Sequence, residues 1–408
     1  MAIKMGPGAM VAAAFVGPGT VTTAATAGAN SGLTLAWAVL FSVLATVVLQ
    51  ELSVRSALST QRDLADLARS LGGGRWGTWL IALLIVVAVG IGNAAYQSGN
   101  LSGAALGLSA FFPAYFSTIV AVLSVLAGGL LLTNRYRYIE RVLVALVVVM
   151  AGLFLALAVL LLPELMRLPA PRLLPRVDTS ELTIILALIG TTIVPYNLFL
   201  HATAARRRWQ GVAADRALAE ARQESWLAIS VGGLITLAVM AVAAVLLQAP
   251  SDQPILTLLM SRIELHLPGW GATAVAVGLF AAGFTSAIAA PLAAAWAVTA
   301  ALGQPSSEDH WAFKSVAVTV IVVGALLAIT ASKPEALILT AQATNALLLP
   351  VVAIILLAIA NSRLLPETWR NTRLRNGLAV VVISLVLLLA AKKLLALVPW
   401  AFARWALT

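Results

Sequence analysis

The sequence predicts an all-α polytopic membrane protein: two inverted sets of five spans, with an eleventh span added. Three observations predict it. Of the 408 residues, 61% are hydrophobic and only 10% are charged, against ~25% charged in an ordinary soluble domain. Apolar stretches of about 20 residues, enough to cross a bilayer, recur along the whole chain. Two of them are interrupted by proline at matching places in the two halves: Phe15-Val16-Gly17-Pro18-Gly19-Thr20 and Ile193-Val194-Pro195-Tyr196-Asn197.

The expected spans lie near 10–28, 33–57, 77–103, 108–132, 138–163, 180–203, 224–248, 270–302, 315–332, 335–361 and 376–398. The segments between them, the longest about 164–179, 204–223 and 249–269, are too short for a separate domain. One transmembrane domain therefore fills 1–408. Arg55, Arg62, Arg69 and Arg75, then Arg135, Arg137 and Arg141, then the run from Arg206 to Arg222, all fall at or between the ends of alternate spans. Positive loops stay inside, so the N-terminus is expected in the cytoplasm and the C-terminus outside, in a bacterial-type inner (cytoplasmic) membrane. Lys4 and the apolar run after it mimic a cleaved leader, but the Gly-Pro-Gly inside that run argues against one. Five spans that begin inside end outside. The second five then start with opposite polarity, giving repeats over about 8–163 and 180–361, with 376–398 as the addition.

Proline removes a backbone donor and flanking glycine loosens the helix. In lipid such open backbone is tolerated only where protein buries it or a cavity borders it. Paired broken helices in two halves therefore point to a substrate site. The residues there are Gly17, Gly19 and Thr20 in the first break, with Thr22 and Thr23 nearby. In the second they are Val194, Tyr196 and Asn197, one turn after Thr191 and Thr192. All are neutral. Each hydroxyl also has a plain structural reading, satisfying a backbone carbonyl in its own or a neighbouring helix.

Other polar residues within spans are few. Asn93, Tyr96, Gln97 and Asn100 share one face of the third span by their spacing of three and four. They either line a cavity or bond between helices. Thr285 and Ser286 sit among small residues in the eighth span, and Gln342 and Asn345 lie one turn apart in the tenth. Glu51, four residues before Arg55, suggests a helix-face ion pair. His201 is either a proton carrier or a structural group. Lys392 and Lys393 can snorkel from a helix end. Arg206-Arg207-Arg208-Trp209 reads as the positive anchor of the sixth span, with anionic lipid as the other reading.

Composition excludes several classes. There is no cysteine, so disulfides and thiolate metal sites are out. His201, His266 and His310 are far apart in sequence, and no nucleophile–base pair, zinc motif or phosphate loop is found. Gly72-Gly73-Gly74 lacks the Lys-Ser/Thr of a phosphate loop. The chain is read as neither an enzyme nor a cofactor or resident-metal protein. The net charge of +10 lies between spans, so nucleic acid is not an expected partner. The expected partners are the lipid bilayer, a small-molecule substrate and a coupling ion, H⁺ or Na⁺.

Several motifs carry a family resemblance. They are Gly6-Pro7-Gly8, the first break, Leu49-Gln50-Glu51-Leu52-Ser53-Val54-Arg55, Arg62-Asp63-Leu64-Ala65, Tyr136-Arg137-Tyr138-Ile139-Glu140, Pro195 to Ala202, and Ala281 to Ser286. The chain resembles the natural resistance-associated macrophage protein (NRAMP) family of divalent metal transporters. The resemblance implies a LeuT-like fold in which the first and sixth spans unwind mid-membrane. The family pattern Asp-Pro-Gly-Asn is here Gly17-Pro18-Gly19-Thr20, and Met-Pro-His-Asn is Val194-Pro195-Tyr196-Asn197. Acidic residues that the family carries in the third span are Gln97 and Asn100. Gln342 matches a family glutamine that approaches substrate in closed states.

A bare dication without countercharge at mid-membrane is expensive. The reading from these departures is a secondary transporter of a small organic solute, anionic or zwitterionic, working by alternating access. Substrate would meet Gly17, Gly19, Thr20, Val194, Tyr196, Asn197, Gln97, Asn100 and Gln342. One alternative is a Mn- or Mg-type divalent cation transporter with an altered site of backbone carbonyls, Thr20, Asn197 and Gln342. Another is a non-transporting membrane sensor or scaffold. By analogy with LeuT-like proteins, a coupling Na⁺ would sit on carbonyls near Ala13 to Val16 with Thr285 and Ser286; a coupling proton would use His201.

Overall fold

The computed structural model describes residues 17–133, 136–168, 177–247 and 253–405. Among them the secondary structure is helical: α1 (Pro18–Ser31), α2 (Ala36–Thr60), α3 (Leu64–Ser70), α4 (Arg75–Ser109), α5 (Phe116–Leu132), α6 (Tyr136–Leu160), α7 (Leu182–Thr192), α8 (Pro195–Arg208), α9 (Ala214–Leu246), α10 (Ile255–His266), α11 (Gly271–Ala301), α12 (Trp311–Thr330), α13 (Pro334–Asn361) and α14 (Arg373–Trp405). Nine helices among the described residues, counting α7 and α8 as one, are long and apolar enough to cross a membrane. Two further expected spans correspond to α1 and to the 25-residue α6. The first half of the first span, 10–16, lies outside the described residues.

Proline chemistry sets where α1 and α8 begin. Pro18 and Pro195 each open a helix, where the missing N–H costs nothing. The residues before them, Gly17 and Val194, are extended, as a residue preceding proline tends to be. Ile193 and Val194 thus separate α7 from α8. Because Pro195 has no N–H, the carbonyl of Thr191 loses its helical donor, leaving bare backbone at the join.

Proline inside α11 is handled differently. Pro291 leaves the carbonyl of Ala287 without its helical donor. Gln97 of α4 supplies one: its amide Nε2 donates to Ala287 O at 2.9 Å, and Asn93 Nδ2 donates to Ala290 O at 2.9 Å. The helix therefore passes through the proline unbroken. The polar stripe of the third span is interhelical bonding at these two residues.

Small residues set the helix approaches. A Cβ on Gly283 would lie 2.4 Å from Ala104 N, and one on Gly28 would lie 2.2 Å from Met240 O. Without a hydrophobic drive between helices in lipid, such close backbone contact is what holds spans together. Large apolar side chains such as Leu44, Leu83, Val125, Leu227 and Leu326 are exposed on the periphery, as a lipid-facing surface requires.

Three details differ from the sequence reading. The loop expected over 204–223 shrinks to 209–213, because α8 and α9 extend into it. The segment 249–269 contains α10, whose first turn is capped from a distance. The Glu335 carboxylate accepts from Ile255 N at 2.6 Å and Leu256 N at 2.8 Å. Val86–Ile91 forms a π-helical turn within α4 that no periodicity signals.

The expected Glu51–Arg55 pair is present at 3.1 Å. Arg55 is buried and also bonds the Trp369 carbonyl and Asn371 Oδ1. Each arginine of the 206–208 run has an internal partner: Arg206 with Asp63 at 2.8 Å, Arg207 with Glu308 at 2.6 Å and Arg208 with Glu224 at 3.9 Å. Lys392 and Lys393 do reach along α14, to Val177 O and Thr183 Oγ1.

Candidate functional site

The two breaks meet. The hydroxyls of Thr20 and Thr191 lie 2.9 Å apart, so the start of α1 touches the end of α7. Gly19 sits directly against Gln342 of α13: a Cβ there would lie 1.8 Å from Gln342 Nε2. Gly17 faces Ser286 of α11, whose Oγ would be 2.9 Å from an added Cβ, and Tyr96 of α4, whose hydroxyl would be 3.8 Å away. The Tyr96 and Tyr196 rings stand 5.4 Å apart at 59°. The structure therefore brings Gly17, Gly19, Thr20, Tyr196, Gln342 and Ser286 together, with Thr191 and Tyr96 added.

The glycines leave room here for the side chains of their neighbours. Any side chain at 19 would occupy the place of the Gln342 amide, and any at 17 would press on Ser286. Val194 is 1% exposed and supplies the extended backbone that starts α8. Asn197 lies in the first turn of α8, is 1% exposed, and neither of its amide atoms has a hydrogen-bond partner. Asn345 Nδ2 and the hydroxyls of Thr22 and Thr23 are likewise buried without partners. Buried amides are normally bonded, so the unpartnered Asn197 amide at the α7–α8 join is the kind of group that a ligand completes.

Other expected site residues are elsewhere or occupied. Gln97 is committed to Ala287, and Asn100 Nδ2 leans on Gln97 Oε1 at 3.4 Å. Their hydrogen bonds run to α11 and to each other, and Asn100 Oδ1 is buried without a partner. Thr285 bonds its own helix at Ala282 O, 2.7 Å. His201 is fully buried, with Nδ1 2.6 Å from Gln50 Oε1 and Nε2 3.4 Å from Ser225 Oγ. The proposed Na⁺ carbonyls, Ala13 to Val16, lie outside the described residues. Among the described residues no group of three His, Cys, Asp or Glu is placed to hold a metal.

Sequence reasoning placed Tyr96 on the polar stripe but not at the site. Its place on that stripe conceals that its hydroxyl lies by Gly17 while Gln97 bonds to α11. Gln50 enters the sequence reading only within the Leu49–Arg55 motif and Ser225 not at all, since single polar residues in a span carry no pattern.

Residues 8–396 match the family described as natural resistance-associated macrophage protein-like, Nramp. The chain belongs to the Nramp family. Two relatives are both named divalent metal cation transporter MntH. The Nostoc protein is 27% identical over 407 residues, covering 96% of this chain and 90% of that one. The Latilactobacillus sakei protein is 31% identical over 213 residues, covering 50% of this chain and 44% of that one. The alignment with the Xylella fastidiosa relatives spans 62% of their length. Among solved structures, the Eremococcus coleocola manganese transporter in complex with an aromatic bis-isothiourea substituted compound matches with a TM-score of 0.77 at 23% identity, covering 96% of this chain and 85% of that one. MhsT in complex with L-phenylalanine matches with a TM-score of 0.65 at 16% identity, covering 95% and 99%. At these identities the structural likeness shows the LeuT-like fold alone.

These findings overturn the organic-solute expectation. The relatives of this Nramp protein are named for divalent metal cations, which favours the cation reading. The physical error was to treat formal countercharge as a condition for holding a dication. Neutral oxygens of amides, hydroxyls and backbone also ligate hard cations, and such an ion can keep part of its water shell.

Proposed function

We propose that this Nramp protein carries a divalent metal cation across the membrane by alternating access, on a seat of neutral oxygens. Asn197 Oδ1, Thr20 Oγ1, Gln342 Oε1 and backbone carbonyls at the Ile193–Val194 join supply the donors. One observation carries the reading. Asn197 is buried at the break between α7 and α8 with both amide atoms unbonded, a costly state that a ligand would relieve. Family membership over 8–396 gives that ligand its class.

The donor set has consequences for preference. With valine at 194 and no cysteine in the chain, the seat offers no soft ligand to favour late transition metals over hard ions. Mn²⁺ and Mg²⁺ are expected to compete on similar terms, each retaining waters. Lack of a carboxylate lowers affinity, so the working range is expected above that of a charged site. Transport rather than catalysis fits the family, and the arginine-rich ends of α2, α8 and α14 fit the cytoplasmic side.

The decisive experiment is Mn²⁺ and Mg²⁺ uptake into proteoliposomes, with thermal melting in parallel. Saturable uptake of either ion, lost in Asn197→Ala, supports the proposal. Absence of uptake and of stabilisation by both ions at millimolar concentration overturns it. Repeating uptake with imposed H⁺ or Na⁺ gradients identifies the coupling ion.

A further inference from the structure

A groove of about 320 Å³ opens between α2, α9 and α14. Val47, Leu218, Trp226 and Leu378 give it apolar walls, and Trp226 and Leu378 remain about half exposed. Glu51, Arg222 and Arg375 add charge to its lining, and Arg55 lies just behind, buried against Glu51.

The charges do not balance. Glu51 is the one carboxylate for two arginines, Arg55 at 3.1 Å and Arg222 at 2.5 Å. Arg375 makes no ion pair among the described residues, yet its charge bears on Arg55. Of the other acids of α9, Glu220 pairs with Arg216 and Glu224 with Arg208, and Asp215, seven residues before Arg222, does not line the groove. Three guanidiniums around one carboxylate leave an excess of two positive charges beside an apolar trough. In a membrane protein that combination is complementary to an amphiphile with an anionic head and a hydrocarbon tail.

We infer that this groove binds an anionic phospholipid, its phosphate on Arg222 and Arg375 and one acyl chain along Val47, Trp226 and Leu378. Glu51 opposes the phosphate, but two arginines already neutralise it. The site also abuts the transport machinery. Gln50 and Ser225 line the same groove and hold the two ring nitrogens of His201 on α8. An occupied groove therefore braces the half-helix that carries Asn197.

The test uses the full chain in detergent, with native mass spectrometry and thermal melting. The probes are dioleoyl phosphatidylglycerol, dioleoyl phosphatidylcholine and inorganic phosphate. The expected result is selective retention of phosphatidylglycerol, with a rise in Tm that neither other probe gives. Arg375→Gln is expected to reduce that retention about fivefold, the weight of one arginine at a membrane surface, while Arg375→Lys preserves it. Leu378→Trp fills the trough without altering charge and is expected to abolish retention. Melting of each variant without lipid shows that it is folded. Equal binding of the two lipids overturns the inference, as does undiminished selectivity in both Arg375→Gln and Leu378→Trp. Reproduction of the shift by inorganic phosphate would also overturn it, in favour of a free-anion site.

Discussion

Thr20 and Thr191 share a hydrogen bond of 2.9 Å across 171 residues of sequence. It fastens the start of α1 to the end of α7, beside the join with α8. Thr20→Val keeps the volume and removes the link. Thr191 can then bond back to a carbonyl of its own helix, so the loss of stability is expected to be only about 1 kcal/mol. Thermal melting of the purified protein measures it, and a loss several times larger would show that Thr20 bears more of the junction than this one bond.

Asn197 gives the opposite expectation. Its amide bonds nothing within the described protein, so Asn197→Ala removes no internal hydrogen bond. Stability in metal-free buffer should be unchanged or slightly raised, because an unsatisfied buried amide is deleted. Cation uptake should fall by about tenfold or more, the equivalent of ~1.4 kcal/mol of binding. Parallel melting and uptake measurements separate the two effects; a large drop in Tm would place Asn197 in the core instead.

The geometry around Gly17 tells how a charged ligand could be introduced. Its backbone is extended and accepts any residue, but a Cβ would meet Ser286 Oγ at 2.9 Å. Gly17→Asp alone is expected to strain this contact. Gly17→Asp combined with Ser286→Ala removes the crowding atom and places a carboxylate at the break. Mn²⁺ affinity of the double variant should exceed that of the parent by at least about tenfold, measured by calorimetry. The single variant should gain less.

Gln97 and Pro291 should behave as a pair. Gln97→Met leaves the Ala287 carbonyl buried and unpaired, at an expected cost of about 1–3 kcal/mol. Pro291→Ala restores the helical N–H that this carbonyl needs, so the double variant should recover most of the loss. Additive effects of the two substitutions in thermal melting would show that the glutamine serves another purpose.

Glu264 provides a pH test outside the spans. Its carboxylate accepts from Ala272 N at 2.8 Å and Gly269 N at 2.6 Å, fixing the turn before α11. These backbone bonds hold its pKa below the ordinary glutamate value. A lowered native pKa means that the contribution is complete above the unfolded pKa, ~4.3. It is lost as the pH falls from there through the native value. Glu264→Gln should therefore melt earlier than the parent at neutral pH, with the gap closing in that acid window. A constant gap across the titration would show that the carboxylate charge is irrelevant.

The sequence made the helical membrane architecture legible because span length and proline placement are local properties. Pro18 and Pro195 announced the breaks for the same reason. The site was legible in part. Gly17, Gly19, Thr20 and Asn197 were found from the breaks, whereas Tyr96 and Gln97, adjacent in sequence, proved to serve different neighbours. Which face of α4 meets which helix is a tertiary fact, and Pro291 decided it for Gln97. The organic-solute expectation failed because the missing countercharge outweighed the neutral oxygens of Thr20, Asn197 and Gln342, which support the cation alternative.

The three consecutive pairings of Arg206, Arg207 and Arg208 tie the end of α8 to Asp63, Glu308 and Glu224. These bonds are partly open to water, so dissolved salt competes with them. Any swing of that half-helix must first release the clasp. The pace of opening at this end should therefore quicken as ionic strength rises, making the surrounding electrolyte a throttle on turnover that acts far from the cargo.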